Sequence, residues 1–378
     1  MARDKGKSTR RIKGWSRDDV PGSRTDRAAS RQRVTRQAVK IPASRLAAPD
    51  ENLDDLPKTE GMIVGLFPGG AIARVEGEEL VCGIAKTFRA PPGSSALAVG
   101  DIATVALSRR STGEQAGDRD RADGVVLSRK PRSSLLVRPQ PRSGKRMDRY
   151  EQGLDQKVIV ANMDLLLIVA STHQPTLRQA ILDRFFIIAE RGEMSPLVVI
   201  NKIDLGGPDP GVLKALSDLA VPAILCSAAS GEGIPTLAAM LAGKRSALAG
   251  ASGVGKSTLV NALIPGAQAA TRPIRMSDQR GRHTTARATV YDIPRTGDTD
   301  PPGIIVDTPG VRELGFDLRA NELPWYFPDF QEYAPRCKFN DCSHIHEPQC
   351  AVRQAVEDGN IPLARFESYL RILETLEE

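Results

Sequence analysis

Residues 250–258 are the first stretch able to do chemistry. Gly250, Ala251, Ser252, Gly253, Val254, Gly255, Lys256 and Ser257 match G-x-x-x-x-G-K-[ST] at every fixed position. Glycines there let backbone N–H groups turn inward around phosphate oxygens, and the following helix adds its positive N-terminal end. Lys256 can reach the β- and γ-phosphates, Ser257 can ligate Mg²⁺, and the contact set extends to Thr258. Downstream, Asp307-Thr308-Pro309-Gly310 ends the apolar strand Ile304–Val306. A carboxylate at a strand's carboxyl end sits where such sheets bind ligands, so Asp307 can hold Mg²⁺ through water while Gly310 offers its N–H to a γ-phosphate.

Asn201-Lys202-Ile203-Asp204 follows the apolar run Leu197–Ile200. Asp204 can accept two hydrogen bonds from guanine N1–H and N2–H₂, whereas adenine presents an acceptor at N1 and leaves the charge unpaired. Sites that rely on such buried polar pairing discriminate by ~10⁴ or more, which favours GTP over ATP. Ser227-Ala228-Ala229 ends the next strand and could close over the base. The order is rotated: the base clamp precedes the phosphate loop, which precedes Asp307. One sheet can still carry all three if the chain begins midway round it, because domain termini often lie close together. The segment after Asp307 then leads straight into the C-terminal region, where nucleotide state could pull on it.

Between phosphate loop and Asp307 lies Gly281-Arg282-His283-Thr284-Thr285. A threonine here would complete Mg²⁺ coordination, Thr285 in preference to Thr284. His283 is either an exposed polar residue or the group that orients the attacking water. Position 311 is valine, which cannot orient water, so slow intrinsic hydrolysis and an accelerating partner are expected. Farther on, Cys337-x₄-Cys342-x-His344-x₅-Cys350 supplies three thiolates and an imidazole, a full tetrahedral zinc set with no open position for catalysis. His346 competes with His344, and spacing alone does not choose between them. Such a metal would contribute ~10–16 kcal/mol of folding energy to a segment with little core.

The elements that must position these groups change character along the chain. Short apolar runs at Met62–Val64, Ala71–Val75, Glu79–Gly83 and Asp101–Val105, broken by Gly69-Gly70, Pro91-Pro92-Gly93 and Gly100-Asp101, predict a small β-barrel. An Arg- and Pro-rich linker is expected from Arg129 to Arg149. Strands are then predicted at Lys157–Ala161, Leu165–Ala170, Pro196–Ile200, Val221–Cys226, Arg245–Ala249, Arg287–Ile293 and Gly303–Val306. Helices at Leu177–Arg191, Gly211–Leu219, Ile234–Leu241 and Lys256–Leu263 alternate with most of them. That alternation implies a parallel sheet covered on both faces, and the fold class is therefore α/β. The division is a disordered basic tail at 1–58, the barrel at 59–130, the permuted nucleotide domain at 131–319 and a metal-binding, helix-ended region at 320–378.

The chain has 378 residues, 40% hydrophobic and 26% charged, which suits two or three globular domains. Residues 1–50 hold fourteen Lys or Arg against five acids, a net +9; since the whole chain is +6, the remainder nets −3. The tail is either a solvated solubility segment or a nucleic-acid arm. Cys82 and Cys226 stand alone in apolar runs and read as buried small hydrophobes. No run of eighteen apolar residues and no signal-peptide h-region is found, which argues for a cytoplasmic protein, and no feature demands more than a monomer.

The rotated order, Gly281–Thr285, Asp307–Val311 and the Cys337–Cys350 cluster together resemble the ribosome small-subunit-dependent GTPase A family of circularly permuted GTPases. The likeness runs from about Gly61 to Leu373 and is most specific at Gly250–Thr258 and Cys337–His344; Ala161–Asp164 and Glu347–Val352 are similar to family signatures too. It implies an OB-type barrel, a permuted GTPase domain, and zinc on Cys337, Cys342, His344 and Cys350. It also implies late maturation of the small ribosomal subunit, with hydrolysis stimulated by that subunit and rRNA as the contact. The chain departs in its long basic tail, in Ala251 where family members often carry Gln, and in a barrel whose only phenylalanines are Phe67 and Phe88. That leaves little aromatic surface for stacking on RNA bases. Competing readings are a permuted GTPase of the large subunit, an RNA-binding zinc scaffold that merely holds nucleotide, and an ATP-using enzyme, which Asp204 disfavours.

Overall fold

The computed structural model describes residues 53–88, 96–108, 122–139, 156–267, 288–295, 301–308 and 318–377. The basic tail before Leu53, the Gly281–Thr285 loop with His283, Thr284 and Thr285, and Gly310 lie outside the described residues.

Five strands close on themselves: β1 (Lys58–Phe67), β2 (Gly70–Val75), β3 (Glu78–Ile84), β4 (Ile102–Leu107) and β5 (Gly124–Arg129). Their order is β1-β2-β3-β5-β4, β4 pairing back onto β1, with β3–β5 the parallel pair. This is the five-stranded arrangement of an OB-type barrel. Alternation sets its interior, since Ile63, Ala71, Ala73, Cys82, Ala103, Val105 and Val126 all point inward. Many are alanine, so the barrel is thin and its mouth carries little aromatic surface. Burial pushes the Cys82 thiol up to about 12, consistent with a cysteine that packs and does not react.

Two expectations fail next. The stretch expected as linker contains β6 (Leu135–Pro139), and Arg129 belongs to β5. The strand read at Lys157–Ala161 is β7 (Gln156–Ala161), which pairs antiparallel with β6 in a separate two-stranded sheet and not in the parallel one. Burial explains it: Leu136 and Val160 face each other and disappear from solvent, a pairing that an Arg- and Pro-rich composition hides. This small sheet joins the barrel to the rest. Asn162, in the left-handed region at φ 56°, accepts from Ser133 N–H at 2.9 Å and donates to Gly100 O at 2.9 Å. Arg132 grips the fully buried Asp101 with two nitrogens, at 2.7 and 2.8 Å. The Ala161–Asp164 segment is thus a joint.

The main sheet runs β10 (Ala223–Leu225), β9 (Ser195–Asn201), β8 (Leu165–Ser171), β11 (Arg245–Ala249), β13 (Gly303–Asp307), β12 (Thr289–Ile293). All pairs are parallel except β12–β13, where the expectation of parallel strands gives way to an antiparallel edge. An apolar run states burial, not direction. Along β8 the side chains alternate between two cores. Leu166 and Ile168 join one with α1 (Gln179–Arg191), while Leu167 and Val169 join another with α3 (Ile234–Leu241) and α4 (Lys256–Leu263). Helix α2 (Pro210–Asp218) starts at Asp209, whose carboxylate accepts from Gly211 N–H at 2.8 Å.

After Leu318 come two 3₁₀ turns (Ala320–Tyr326 and Ala334–Arg336) and three helices, α5 (Pro328–Gln331), α6 (Ala351–Glu357) and α7 (Leu363–Glu377). Phe327, Phe330 and Tyr369 bury against the α1 face of the sheet, so this region shares a core with it. Arg365 pairs with Asp183 of α1, both buried, and at 2.6 Å with the partly exposed Asp329. Desolvation raises the Asp183 carboxyl, and the arginine opposes that rise. Among the described residues no helix is long and apolar enough to cross a membrane.

Candidate functional site

Because β9, β8, β11 and β13 run parallel, their carboxyl ends lie along one edge. Ser171 pairs in register with Asn201, Ile168 with Ala249, and Leu248 with Asp307. The three sequence-distant turns therefore converge there: Asn201–Asp204 after β9, Gly250–Ser257 between β11 and α4, and Asp307-Thr308 after β13. That edge is where open α/β sheets bind ligands.

The phosphate loop needs its glycines. Gly250, Gly253 and Gly255 have φ of 139°, 81° and 95°, values that cost an L side chain dearly. A Cβ on Gly250 would strike the Val169 carbonyl, and one on Gly255 would strike the Asn201 amide. The loop thus lies flush on β8 and on the clamp. Lys256 turns back over it, Nζ donating to Gly250 O and Ala251 O at 2.8 Å each. Its charge reaches Asp307, whose half-buried carboxyl is raised by desolvation and pulled back down by Lys256. Thr308 Oγ1 donates to Leu248 O, which pins Thr308 to the neighbouring strand just after Asp307.

Asn201 ties the parts together. It is 2% exposed; Nδ2 donates to Val254 O inside the phosphate loop at 2.9 Å, and Oδ1 accepts from Ala228 N–H at 2.9 Å. One amide side chain thus bridges the phosphate loop and the Ser227-Ala228 turn. Lys202, at φ 67°, sends Nζ to Gln174 O and His173 O, and its own carbonyl accepts from Thr172 Oγ1. Asp204 is exposed, its Oδ1 taking the Ser227 hydroxyl at 2.6 Å, and Ser227 Oγ accepts in turn from Ser230 N–H. A carboxylate oriented this way is displayed toward solvent beside the loop and can accept hydrogen bonds from a planar heterocycle.

A second cluster lies in the C-terminal region. Cys337, Cys342, His344 and Cys350 bring their ligand atoms within 4.8 Å of one another. His344 Nδ1 is 3.4 Å from Cys350 Sγ and 3.7 Å from Cys337 Sγ, and those two sulfurs are 3.9 Å apart. Tetrahedral bonds of about 2.3 Å to sulfur and about 2.0 Å to nitrogen set ligand atoms about 3.5–3.8 Å apart, so this set could hold a metal ion. His344 is buried and His346 exposed, which places the former in the cluster. Burial pushes the Cys342 thiol up to about 12, so a cation binding here must displace protons. Glu347 braces the loop, accepting from Ser343 N–H and Oγ–H and from Ile345 and His346 N–H. Burial would raise its carboxyl, but these bonds prevail and lower it to about 2.

Comparison with known proteins matches this architecture. The RsgA GTPase family pattern covers residues 129–317. A small ribosomal subunit biogenesis GTPase RsgA from Shewanella oneidensis is 35% identical over 329 residues, 85% of each chain. One from Chlorobaculum tepidum is 34% identical over 82% of this chain and 98% of its own. The chain belongs to the RsgA GTPase family. Among solved structures, YjeQ from Thermotoga maritima superposes with a TM-score of 0.60 at 30% identity, over 85% of this chain and 99% of that one. YloQ, described as a circularly permuted GTPase, does so at 0.56 and 25%, over 85% and 96%. The sheet order of this RsgA-family member is that of a permuted GTPase, with base-side turn, phosphate loop and Asp307 strand met in rotated order.

Sequence reasoning missed how the clamp is held. Thr172, His173 and Gln174 follow β8 and support Lys202, while Ser171 at the strand's end donates Oγ–H to Pro175 O at 2.7 Å. The signal was available, because a polar run after a buried strand marks the same sheet edge that singled out Asn201. Ser257 and Thr258 open α4, half-buried and exposed respectively.

Proposed function

We propose that this chain binds GTP across the sheet edge, hydrolyses it to GDP and phosphate, and acts in biogenesis of the small ribosomal subunit with rRNA as its contact. The convergence of Asn201–Asp204, Gly250–Ser257 and Asp307 on one edge carries the reading, and the family supplies the biological setting. Asp204 accepts from guanine N1–H and N2–H₂, with Ile203 and Ser227-Ala228 beside the base. Asn201 and Lys202 hold the clamp in place. Backbone N–H groups of Gly250 through Thr258, with Ala251, Ser252 and Val254 contributing backbone alone, surround the phosphates. Lys256 exchanges its two carbonyl partners for β/γ-phosphate oxygens and stabilises the charge that builds there during transfer.

Ser257 and Asp307 offer the hard oxygen donors that suit Mg²⁺, and that ion bound with the nucleotide would neutralise phosphate charge. Thr285, or Thr284, completes the set, Gly310 donates to the γ-phosphate, and His283 orients water. Cys337, Cys342, His344 and Cys350 hold one structural zinc ion. Their near-tetrahedral spacing supports that choice. The protein works in the cytoplasm, as a monomer.

Multiple-turnover hydrolysis of GTP and ATP, titrated with purified small subunits, tests the whole reading. GTP hydrolysis should rise steeply with subunits and ATP hydrolysis should stay at background. A flat GTP response would leave a nucleotide-holding scaffold. Asp204→Asn should remove most of the guanine preference, a change of ~10⁴ in the GTP-to-ATP ratio if the clamp operates like other buried polar selectors.

A further inference from the structure

Residues 320–378 carry eleven Asp or Glu against five Lys or Arg, a net −6 in a chain whose total is +6. Three of the five cations are engaged already: Arg365 with Asp183 and Asp329, Arg336 with Glu332, and Arg371 with Glu367. On this acidic region a groove of about 680 Å³ opens between the Ala320–Tyr326 turn and the loop bearing the metal ligands. The turn contributes Trp325, 71% exposed, and the loop contributes Phe339, 40% exposed. Asn321, Asn340 and Asp341 add polar lining, and among the described residues no Lys or Arg lines it. Two large aromatics held at one exposed groove mark a docking surface more than a scattered apolar residue would.

Charge selects the occupant. An RNA strand would bring one negative charge per nucleotide to an acidic surface, and no described lining residue would neutralise it. A cation gains where RNA does not: Trp and Phe faces attract it, and the Asp341 carboxylate can pair with it. Aromatic rings of this region already accept cations, Lys338 Nζ lying 5.6 Å from the centre of Phe339 and the Arg336 guanidinium 5.5 Å from that of Tyr333. We propose that the groove docks an extended, arginine-rich segment of a partner protein. One arginine lies against Trp325 and Phe339 and pairs with Asp341, while Asn321 and Asn340 meet the segment's backbone.

Trp15 and Trp325 are the only tryptophans, so the full-length, zinc-loaded Trp15→Phe chain reports on the groove through Trp325 emission. The probe is a peptide of roughly ten residues alternating Arg with Gly and Ser, alongside a Gln-for-Arg version and a single-stranded RNA of about ten nucleotides. The Arg peptide should shift Trp325 emission saturably, and more weakly at high salt. Phe339→Ala and Asp341→Asn, followed by the same emission, should each weaken binding roughly 2- to 30-fold. Trp325→Ala, followed by a labelled peptide, should do likewise, with zinc content and basal GTP hydrolysis unchanged. No response to the Arg peptide overturns the inference. So does an equal response to the Gln peptide, which would mean apolar docking alone, or a response to RNA without one to the peptide. The assay reads the groove only, so loss of guanine selectivity elsewhere would leave it standing.

Discussion

At the sheet edge the functional groups are displayed mainly by backbone, with register between β9, β8, β11 and β13 fixing where the three turns meet. One buried amide, Asn201, fastens two of those turns to each other. Among the described residues 318–377 there is no sheet, and side chains hold α5, α6 and α7 together: a three-thiol, one-imidazole cluster, the Asp183–Arg365–Asp329 network and the packed rings of Phe327, Phe330 and Tyr369. The first region inherits its geometry from a large sheet. The second must assemble its own, and is correspondingly vulnerable to the loss of one partner.

Metal removal should separate the two regions most sharply. Structural zinc supplies about 10–16 kcal/mol in small motifs, so a chelator or Cys350→Ser should open residues 318–377 while guanine nucleotide still binds the sheet edge. Proteolysis mapped by mass, read beside nucleotide titration on the same sample, checks this. The shared core of Phe330 and Tyr369 with Leu182 is the route by which the comparison could break. If both regions fail together, they form one cooperative unit.

The ion network comes next. Arg365→Ala takes the cation from buried Asp183, leaving it the Gln179 amide, and removes an ion-pair partner of Asp329; breaking a buried pair costs about 3–5 kcal/mol. Denaturant unfolding should show that loss, and pairing Arg365→Leu with Asp183→Leu should recover much of it, because two apolar groups replace two desolvated charges. An exposed pair such as Lys214–Asp218 should register at most about 1 kcal/mol when broken, which sharpens the contrast.

The sheet edge was readable because its chemistry follows buried strands: Leu197–Ile200 announces Asn201, Ile304–Val306 announces Asp307, and the glycine spacing of 250–257 needs no tertiary knowledge. The barrel was readable from short runs broken by Gly69-Gly70, Pro91-Pro92-Gly93 and Gly100-Asp101. Strand direction was not, because β12 and β7 look the same as apolar runs whichever way they pair. Asp183 and Arg365 stand 182 positions apart, and neither local pattern nor charge spacing connects them. Asn201 was singled out as a base-side residue, and only coordinates reveal that both ends of its amide are spent on protein.

That observation gives the smallest and most discriminating prediction. Asn201→Ala leaves the Val254 carbonyl and the Ala228 N–H without this partner, at a cost of about 1–3 kcal/mol per buried group. If Asn201 acts by holding the phosphate loop against the Ser227-Ala228 turn, affinity for GTP and ATP should fall together and their ratio should stay constant. Asp204→Asn should do the opposite, changing the ratio more than the sum. Equilibrium titrations of both nucleotides against both variants decide it. A ratio that collapses in Asn201→Ala as it does in Asp204→Asn would mean that the amide reads the base itself, and that the edge is held by its backbone alone.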